Sequence, residues 1–325
     1  MKVLITGGAG FLGRRLAKKL LQRGTLKNAE LREEKIDQIT LFDVTPALGF
    51  DDPRINVVTG DVCDADVLGK VIDAETTSVF HLAAVVSSQA EDDFDLGMNV
   101  NVDASRLLFE TCRRVGHSPK VIFASSLAVY GGALPDVVQD DTVLQPKTSF
   151  GVQKAITELL LSDYSRKGYI DGRALRLPTI AVRPGKPNKA ATSFTSGIIR
   201  EPLNGVPAIC PVGRDAKIWL LSPAKVLAAL VHAYELPSSA WGVNRVVNLP
   251  GNTAVVGEMI DTLRKIAGDK VADLIEIKPD PRIEALVLSW PARFRNERAL
   301  KMGFSADKDV ESIIRGYIED QGIKV

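Results

Sequence analysis

The sequence predicts an α/β fold of the Rossmann type, in which a doubly wound parallel sheet is followed by a smaller carboxyl-terminal lobe. Short apolar runs alternate with amphipathic helical stretches, the alternation that a parallel sheet covered by helices requires. A glycine cluster follows the first run directly, and prolines interrupt regular elements beyond about Thr179. We therefore expect one unit over residues 1–180 and a second, smaller lobe mainly over 181–325.

Composition limits the class of partner. The chain has 325 residues, of which 45% are apolar, and its net charge of +1 gives no reason to expect nucleic acid or an anionic membrane. Cys63, Cys112 and Cys210 lack paired spacing, so we predict neither disulfides nor a metal site. No run approaches the ~20 apolar residues that span a bilayer. We expect a cytoplasmic protein with a small-molecule ligand.

Strands of the large sheet are expected where apolar runs separate helical stretches. The first is 3–5, and the helix after it carries Phe11, Leu16 and Leu20 at helical spacing. Five further runs follow at 39–42, 55–58, 79–82, 121–124 and 174–177. Runs that are apolar on both faces are typical of strands buried between two layers of helices.

The second part of the chain is predicted to be divided between sheet and lobe. Two runs, 219–221 and 246–249, are expected to pair with the large sheet, and a helix is expected between them over 223–236. The first unit would then also include residues 217–249. The lobe is then formed by 179–212 and 251–325. Its helical stretches at 255–267 and 307–321 are interpreted as surface helices, because runs of charge are usually solvated faces.

The glycine cluster has the spacing of a dinucleotide-binding turn. Residues 6–13 match T-G-x-x-G-x-x-G through Gly7, Gly10 and Gly13. Such glycines let backbone amides reach a pyrophosphate at the start of the next helix, here at Phe11 and Leu12. The cluster lies between a buried strand and an amphipathic helix, which is the context the motif needs. The alternative is a turn that only packs a helix on a strand.

An acidic residue at the end of the second strand should hold the cofactor ribose, and Asp43 takes that position. A carboxylate there accepts hydrogen bonds from free hydroxyls and repels a 2'-phosphate, which predicts NAD and not NADP. Asp43 lies 30 residues beyond Gly13, where ~20 is usual. We interpret the polar stretch 25–37 as an insertion that accounts for the excess.

Three further segments carry a family resemblance. Gly60-Asp61-Val62 follows the third strand, His81-Leu82-Ala83-Ala84 closes the fourth, and Ser125 to Gly131 closes the fifth. With the glycine turn, they resemble the extended short-chain dehydrogenases/reductases of the NAD-dependent epimerase/dehydratase type. Besides the glycine turn and Asp43, the resemblance implies NAD contacts from Asp61, Val62, Leu82, Ala83, Ala84, Asn101, Ser125, Lys154, Pro178 and Ile180. For Asn101, a role in capping or breaking the following helix is the alternative.

In this family a Ser, a Tyr and a Lys carry the chemistry, with Tyr and Lys spaced Y-x-x-x-K on one helical face. Ser126 and Lys154 match, but the tyrosine position is Phe150. Phe cannot exchange the proton that accompanies hydride transfer, and losing a general acid/base lowers the rate by ~10²–10⁴. We hypothesise a catalytically impaired chain, most simply an engineered Tyr-to-Phe change. A natural cofactor sensor without chemistry is the competing hypothesis.

No other tyrosine or histidine is expected to replace the missing hydroxyl. Tyr130 is predicted to pack behind the sheet, and Tyr164 lies 10 residues beyond Lys154, too far along the helix at ~1.5 Å per residue. All three histidines are interpreted as structural: His81, His117 and His232.

Substrate choice is assigned to the second lobe and especially to residues 177–189. Arg183 in this proline-rich segment can bind a carboxylate with two hydrogen bonds, although a salt bridge that tethers the loop is the alternative. Together with 85–89 and 192–194, the segment most resembles the branch of the family that oxidises D-erythronate, a four-carbon sugar acid, next to its carboxylate. That resemblance implies substrate contacts from Ser87, Ser88, Ser126, Phe150, Thr179 and Arg183.

Two other classes of function stay open, a nucleotide-sugar epimerase or dehydratase and the non-catalytic sensor. A dehydratase usually carries an acidic pair after the active-site Ser or Thr, whereas Leu127 and Ala128 follow Ser126. This disfavours the dehydratase. An epimerase differs from a dehydrogenase in retaining NAD and releasing no NADH.

We also expect a homodimer. The helices around 101–115 and 150–166 carry apolar residues beyond a single stripe. These are Leu107, Leu108 and Phe109 in the first and Ile156, Leu159, Leu160 and Leu161 in the second. Relatives dimerise through such a helix pair, which implies a two-fold bundle here.

Overall fold

The computed structural model describes residues 1–187 and 189–325; Asn188, in the proline-rich segment, lies outside them. The strands are β1 (Lys2–Thr6), β2 (Thr25–Lys27), β3 (Glu33–Lys35), β4 (Gln38–Asp43), β5 (Ile55–Thr59), β6 (Thr76–His81), β7 (Lys120–Ser126), β8 (Asp171–Leu177), β9 (Thr179–Ile180), β10 (Ala208–Cys210), β11 (Lys217–Leu221), β12 (Val246–Asn248), β13 (Asn252–Val255) and β14 (Ile275–Ile277).

The helices are α1 (Phe11–Arg23), α2 (Ala65–Val71), α3 (Ser87–Asp92), α4 (Phe94–Gly97), α5 (Ala104–Val115), α6 (Ser149–Arg166), α7 (Phe194–Leu203), α8 (Pro223–Glu235), α9 (Ser238–Trp241), α10 (Val256–Ala267), α11 (Asp269–Ala272), α12 (Pro281–Leu288), α13 (Glu297–Lys301) and α14 (Val310–Gln321). A π-helical turn, Met98–Asp103, leads into α5, and a 3₁₀ turn, Leu127–Val129, follows β7. Within the described ranges, none of these helices has the length and apolar content needed to cross a membrane.

Seven parallel strands form the large sheet, in the order β12-β8-β7-β6-β1-β4-β5. The predicted Rossmann-type fold is therefore confirmed, and the six apolar runs fall on its strands to within one residue. β1 lies between β4 and β6, where the strand order reverses. Sheets of this kind bind ligands in the crevice at that point, beyond the carboxyl ends of the strands.

Alternating side chains of the sheet pack into two helical layers. On β1, Val3 and Ile5 belong to the core that contains α1 and α8, whereas Leu4 belongs to the core that contains α2, α5 and α6. Leu16 and Leu20 of α1 are fully buried, as their helical spacing predicts. The sheet is thus covered on both faces, so its site must lie at a strand end.

The prediction that residues 219–221 join the large sheet is wrong. They belong to β11, the central strand of a separate sheet with the order β13-β11-β9. The place beside β8 is taken by β12, which confirms the pairing predicted for the run at 246–249. β11 is apolar because it separates two cores: Leu221 packs with the large sheet and Leu220 with the lobe. An apolar run in the sequence indicates that a segment is buried, but it does not indicate in which of the two cores.

The lobe has an apolar core of its own, to which α7, α10, α12 and α14 contribute. The helices predicted over 255–267 and 307–321 are present as α10 and α14. Each buries one face in this core, through Met259 on α10 and Ile314 on α14, so they are amphipathic supports of the lobe.

The residues inserted between α1 and β4 form a small hairpin, in which β2 and β3 pair antiparallel. This accounts for the long separation between the glycine turn and Asp43. Asp43 still ends β4, next to the end of β1, because the hairpin leaves the pairing of these two strands unchanged.

Candidate active site

The glycine turn is packed too closely for side chains. Gly7 has a φ of +69°, and a Cβ at this position would lie 2.8 Å from the amide nitrogen of Ala83. A Cβ on Gly13 would overlap the carbonyl oxygen of Gly7. The turn is closed by the amide of Gly10, which donates to that same carbonyl oxygen at 3.0 Å. Only glycines therefore allow α1 to approach the end of β1 this closely.

This turn fits a pyrophosphate. Gly10 is extended and α1 begins at Phe11, with no acidic side chain in the first helical turn. The first amides of a helix have no partners within it and carry the positive end of its dipole. A cradle that a single Cβ would fill, at the start of a 13-residue helix, is suited to a dinucleotide phosphate.

Asp43 stands directly beside the turn. Its Oδ2 accepts a hydrogen bond from the amide of Ala9 at 3.1 Å. The amide of Gly60 donates to the carbonyl oxygen of Asp43 at 2.9 Å, which places Asp61 and Val62 next along the same edge. The residues assigned to the ribose and adenine thus lie together at the ends of β4 and β5.

A buried polar cluster fixes the end of β6. The amides of Leu82 and Ala83 both donate to Thr6 Oγ1, each at 3.2 Å, and that oxygen lies 2.7 Å from Nδ1 of His81. Burial lowers the pKa of His81 to about 3, and the positive charge of Lys154 acts in the same direction. His81 is neutral at physiological pH. His117 and His232 contact backbone carbonyl oxygens, so each histidine has a partner within the fold.

A cavity of about 210 Å³ opens at the carboxyl ends of β6, β7 and β8. It brings together predicted residues from both halves of the chain: Leu12, Leu82, Ala84, Ser87, Ser125, Ser126, Phe150, Lys154, Pro178, Thr179, Ile180 and Arg183. Among the described residues, Ser88 and Asn101 do not line it. The remaining predicted cofactor contacts lie at the glycine turn and at the ends of β4 to β6.

Helix α6 carries two of the residues that line this cavity, Phe150 and Lys154. Thr148 caps it by accepting the amide of Gly151 at 3.1 Å. A Cβ on Gly151 would overlap the carbonyl oxygen of Ala128, so glycine lets the helix start directly against the 3₁₀ turn after Ser126. Phe150 and Lys154 are thereby brought to the cavity beside Ser126.

Lys154 is buried at the base of the cavity, with 3% of its surface exposed. Its Nζ donates to the carbonyl oxygen of Ala124 at 2.9 Å and lies 5.6 Å from the centre of the Phe150 ring. Lysine and phenylalanine share one face of α6, as the four-residue spacing predicts. Burial lowers the pKa of Lys154 to about 7, although the carboxylate of Glu158 opposes that shift.

No tyrosine lines the cavity among the residues that the structure describes. Tyr130 is fully buried elsewhere and donates to Asn248 at 3.0 Å, and Tyr164 donates to Glu110 at 3.2 Å. Ser126 does line the cavity, while its Oγ accepts the amide of Ala128 at 3.1 Å. It therefore combines a backbone-capping contact with access to the cavity.

Asn101 does not line the cavity but supports one of its walls through hydrogen bonds. It is buried in the π-helical turn, accepts the amide of Val85 at 2.9 Å and donates to the carbonyl oxygen of Val85 at 3.1 Å. A further hydrogen bond of 2.7 Å reaches Gln153 on α6. These contacts fix the segment that leads to Ser87.

Glu158, a buried carboxylate one helical turn beyond Lys154, was not predicted from the sequence as part of the site. Its Oε1 accepts the hydroxyl of Ser125, and its two oxygens pair with Arg176 on β8. Helical spacing was the available signal, since residue 158 lies four beyond 154 and eight beyond 150. Trp290, also missed, lines the cavity from the lobe and has no such signal.

Arg183 faces the cavity from the lobe side. Its amide donates to Ser196 Oγ at 3.0 Å, and its carbonyl oxygen accepts Arg200 at 2.7 Å. Burial lowers the pKa of the Arg183 guanidinium, and the neighbouring charge of Arg200 adds to the effect. Ser87 meets the same loop by accepting the amide of Ala191 at 3.2 Å. Arg183 and Lys154 are the cationic side chains among the described residues that line the cavity, and this positive charge favours an anionic ligand.

The described residues contain no group of three His, Cys, Asp or Glu side chains placed to bind a metal ion. Residues 3–235 match the family described as NAD dependent epimerase/dehydratase. The chain belongs to this NAD-dependent family. Its cofactor is NAD, in agreement with the cradle at the glycine turn.

Several relatives within the NAD-dependent epimerase/dehydratase family match almost the full chain. A D-erythronate dehydrogenase of Cupriavidus necator is 59% identical over 323 residues, covering 99% of both chains. A D-erythronate dehydrogenase of Haemophilus influenzae is 44% identical and covers 98% of this chain and 99% of its own. Among solved structures, a nucleoside-diphosphate-sugar epimerase of Agrobacterium tumefaciens has a TM-score of 0.93 at 40% identity, covering 100% of this chain and 95% of its own.

Proposed function

We propose that this protein is an NAD-dependent dehydrogenase of the D-erythronate type, which oxidises a short sugar acid at the carbon next to the carboxylate. The observation that carries the proposal is the cavity, which Arg183 lines together with Ser126 and Lys154. A guanidinium suits a carboxylate, and a serine hydroxyl suits the adjacent hydroxyl that reacts. The dehydrogenases that are 59% and 44% identical over almost the full length support this substrate class.

In the proposed reaction the substrate loses a hydride from carbon and a proton from oxygen to give a 2-oxo acid. NAD, when bound, accepts the hydride and becomes NADH. Arg183 holds the carboxylate, Ser126 holds the reacting oxygen, and Thr179 and Ser87 contact the remaining hydroxyls. Lys154 holds the nicotinamide ribose and supplies positive charge beside the developing alkoxide.

Phe150 leaves the proton of this reaction without its usual acceptor. The phenyl ring keeps its place beside Lys154 but carries no oxygen. We propose that the chain folds and binds NAD normally while its turnover is reduced by ~10²–10⁴, the typical contribution of a general base.

The test is NADH formation, followed by absorbance, with D-erythronate and NAD. Phe150→Tyr should increase turnover at saturating substrate by about 100-fold or more. Phe150→Leu, which changes the same side chain without adding a hydroxyl, should give no increase. If Phe150→Tyr binds D-erythronate and NAD but turns over no faster than the parent, the base assignment is wrong.

A second candidate function is nucleotide-sugar epimerisation, which the 40% identical Agrobacterium tumefaciens structure favours. An epimerase interconverts its sugars, keeps NAD bound and releases no NADH. Screening UDP-sugars against four-carbon sugar acids with the Phe150→Tyr variant separates the two functions. NAD binding without turnover of either class by that variant would instead indicate the cofactor sensor.

We also propose a homodimer formed through α5 and α6. Leu108, Phe109 and Leu161 pack inside the subunit and are not available to a partner. Val152 and Leu159 of α6 are 40% and 70% exposed and lie seven residues apart, on one helical face. Light scattering at micromolar concentration should give a dimer, and Leu159→Asp should shift it towards monomer. A monomeric parent protein would contradict the proposal.

A further inference from the structure

Helix α7 binds both polar main-chain groups of Arg183. The amide of Arg183 donates to Ser196 Oγ at 3.0 Å, and its carbonyl oxygen accepts a hydrogen bond from the guanidinium of Arg200 at 2.7 Å. Arg183 lies outside the helices and strands, so no regular backbone ladder supplies these partners. Ser196 and Arg200 are four residues apart, which places them on one face of α7. One helical face therefore holds this loop residue by two hydrogen bonds.

Helix α7 is a firm support for these two contacts. Ile198 and Ile199 are fully buried and pack in the apolar core of the lobe. Ser196 and Arg200 are themselves only 1% and 6% exposed. A second nitrogen of Arg200 pairs with Glu201 Oε1 at 2.5 Å, which holds the guanidinium in place while it donates to the loop. Hydrogen bonds from an ionised donor are roughly twice as strong as neutral ones.

The chain on either side of Arg183 is restricted as well. Ala181 and Val182 are buried in the core of the lobe, and the amide of Ala181 donates to the carbonyl oxygen of Leu221 on β11 at 3.2 Å. Pro184 follows, and a proline confines the residue before it to extended backbone angles. With its main-chain groups bound to α7, Arg183 can therefore change direction mainly through its side-chain torsions.

We propose that Ser196 and Arg200 are positioning residues, which fix the backbone of Arg183 so that its side chain meets the substrate carboxylate in the cavity. The inference rests on the proposed function, in which Arg183 binds that carboxylate. Within the described part of the chain, Arg183 lines the cavity but Ser196 and Arg200 do not, so they act on the substrate only through Arg183. A misplacement of about 1 Å in such a positioned group can lower the rate about 100-fold.

Arg298 provides a matched control for Arg200. Its guanidinium also donates to main-chain carbonyl oxygens, those of Trp241 at 2.9 Å and of Asn244 at 2.5 Å. Arg298 lies on α13, however, and does not line the cavity or contact Arg183. Arg298→Met therefore removes contacts of the same type at a place that has no connection to the substrate carboxylate. It should lower the stability of the protein and leave the KM for D-erythronate unchanged.

A double-mutant cycle in the Phe150→Tyr background separates positioning from a purely structural role. Ser196→Ala and Arg200→Met should each raise the KM for D-erythronate about tenfold, because a displaced Arg183 loses a hydrogen bond to the carboxylate, and kcat should change little. In the Arg183→Ala background the same two changes should have no further effect on KM, because the side chain through which they act is gone. Arg200→Lys, which keeps the charge and a donor, should restore part of the affinity.

Each of the two residues is judged by its own cycle, so Ser196→Ala still decides the question if Arg200→Met does not fold. If Arg183→Ala raises the KM but the α7 substitutions leave it unchanged, the inference alone is overturned. The same conclusion follows if they raise the KM equally with and without the Arg183 side chain. If Arg183→Ala leaves the KM unchanged, or if Phe150→Tyr oxidises no sugar acid, the proposed function fails in that respect and the inference fails with it.

Discussion

The hydroxyl of Ser125 donates a hydrogen bond to the carboxylate of Glu158, with 2.5 Å between Oγ and Oε1. Glu158 is 2% exposed and also pairs with Arg176, whose NH2 lies 2.7 Å from its Oε2. Arg176 in turn donates to the hydroxyl oxygen of Tyr130 at 2.6 Å. A buried, fully partnered chain of polar groups thus joins the cavity to the core of the sheet.

Glu158→Gln should strongly destabilise the protein. It removes the negative partner of a buried ion pair and leaves the Arg176 guanidinium without compensation, which typically costs about 3–5 kcal/mol. Urea unfolding measures the loss. The control is Asp163→Asn on the same helix, because its ion pair with Arg166 is exposed and contributes no more than about 0.5 kcal/mol. Equal losses in the two variants would show that burial does not determine the effect.

Lys154→Met should stabilise the apo protein most at neutral and lower pH. The pKa of Lys154 falls from its ordinary value of 10.5 to about 7 on folding, chiefly through burial. Between these values the unfolded chain holds the proton more tightly, so this group's contribution to stability rises with pH across that window. Below pH 7 the full penalty is present, and methionine removes it.

Thermal unfolding of Lys154→Met and the parent from pH 6 to pH 10 provides the measurement. The difference in Tm should be largest near pH 6 and should shrink as the pH rises towards 10. A difference that is independent of pH would mean that Lys154 keeps an ordinary pKa in the folded protein.

Asp43→Asn should reduce the preference for NAD over NADP. The carboxylate at the end of β4, beside the amide of Ala9, accepts ribose hydroxyls and repels a 2'-phosphate. We expect NAD affinity to fall about tenfold while NADP affinity stays the same or improves. Fluorescence titration with both cofactors measures this, with the exposed Asp51→Asn as control. Tighter NADP than NAD binding by the parent would reject the role of Asp43.

Gly13→Ala should disable the cofactor turn. The added Cβ overlaps the carbonyl oxygen of Gly7, so the turn or α1 must move, at a cost of about 1–3 kcal/mol. We expect NAD affinity to fall about 10-fold to 100-fold. Gly69→Ala, where a Cβ meets no atom within 4 Å, should keep NAD affinity and stabilise α2 by up to about 1 kcal/mol. Normal NAD binding by Gly13→Ala would contradict the close packing of the turn.

Arg183→Ala, in the Phe150→Tyr background, should raise the KM for D-erythronate. Hydrogen bonds to a charged group contribute about 1.5–3 kcal/mol, which corresponds to an increase of about 10-fold to 100-fold. Lys186→Ala serves as the control, because Lys186 is an exposed cation in the same segment. Steady-state kinetics should show the increase for residue 183 alone. An unchanged KM would mean that Arg183 only tethers the loop.

The large sheet was predictable because its strands are apolar runs between helical stretches, and the helix that carries Phe150 and Lys154 was predictable from the family resemblance. Strand β11 was not, since an apolar run signals burial but does not identify the sheet that buries it. The same limit applies to the cavity wall: Trp290 is 136 residues beyond Lys154 in the sequence, and tertiary packing alone brings both to one cavity. Ser88, next to the cavity-lining Ser87, shows that adjacent helical residues face different directions.

The connections between the large sheet and the lobe have a mechanical consequence. Pro178 alone separates β8 from β9, Ser222 alone separates β11 from α8, and three residues, 249–251, separate β12 from β13. Because these three connections are so short, the lobe has little freedom to rotate relative to the large sheet without moving the strands themselves. Substrate capture is therefore expected to depend on side-chain rotations and on small loop adjustments around residues 183–187 and 189–193. Opening and closing should then be fast compared with a domain rotation.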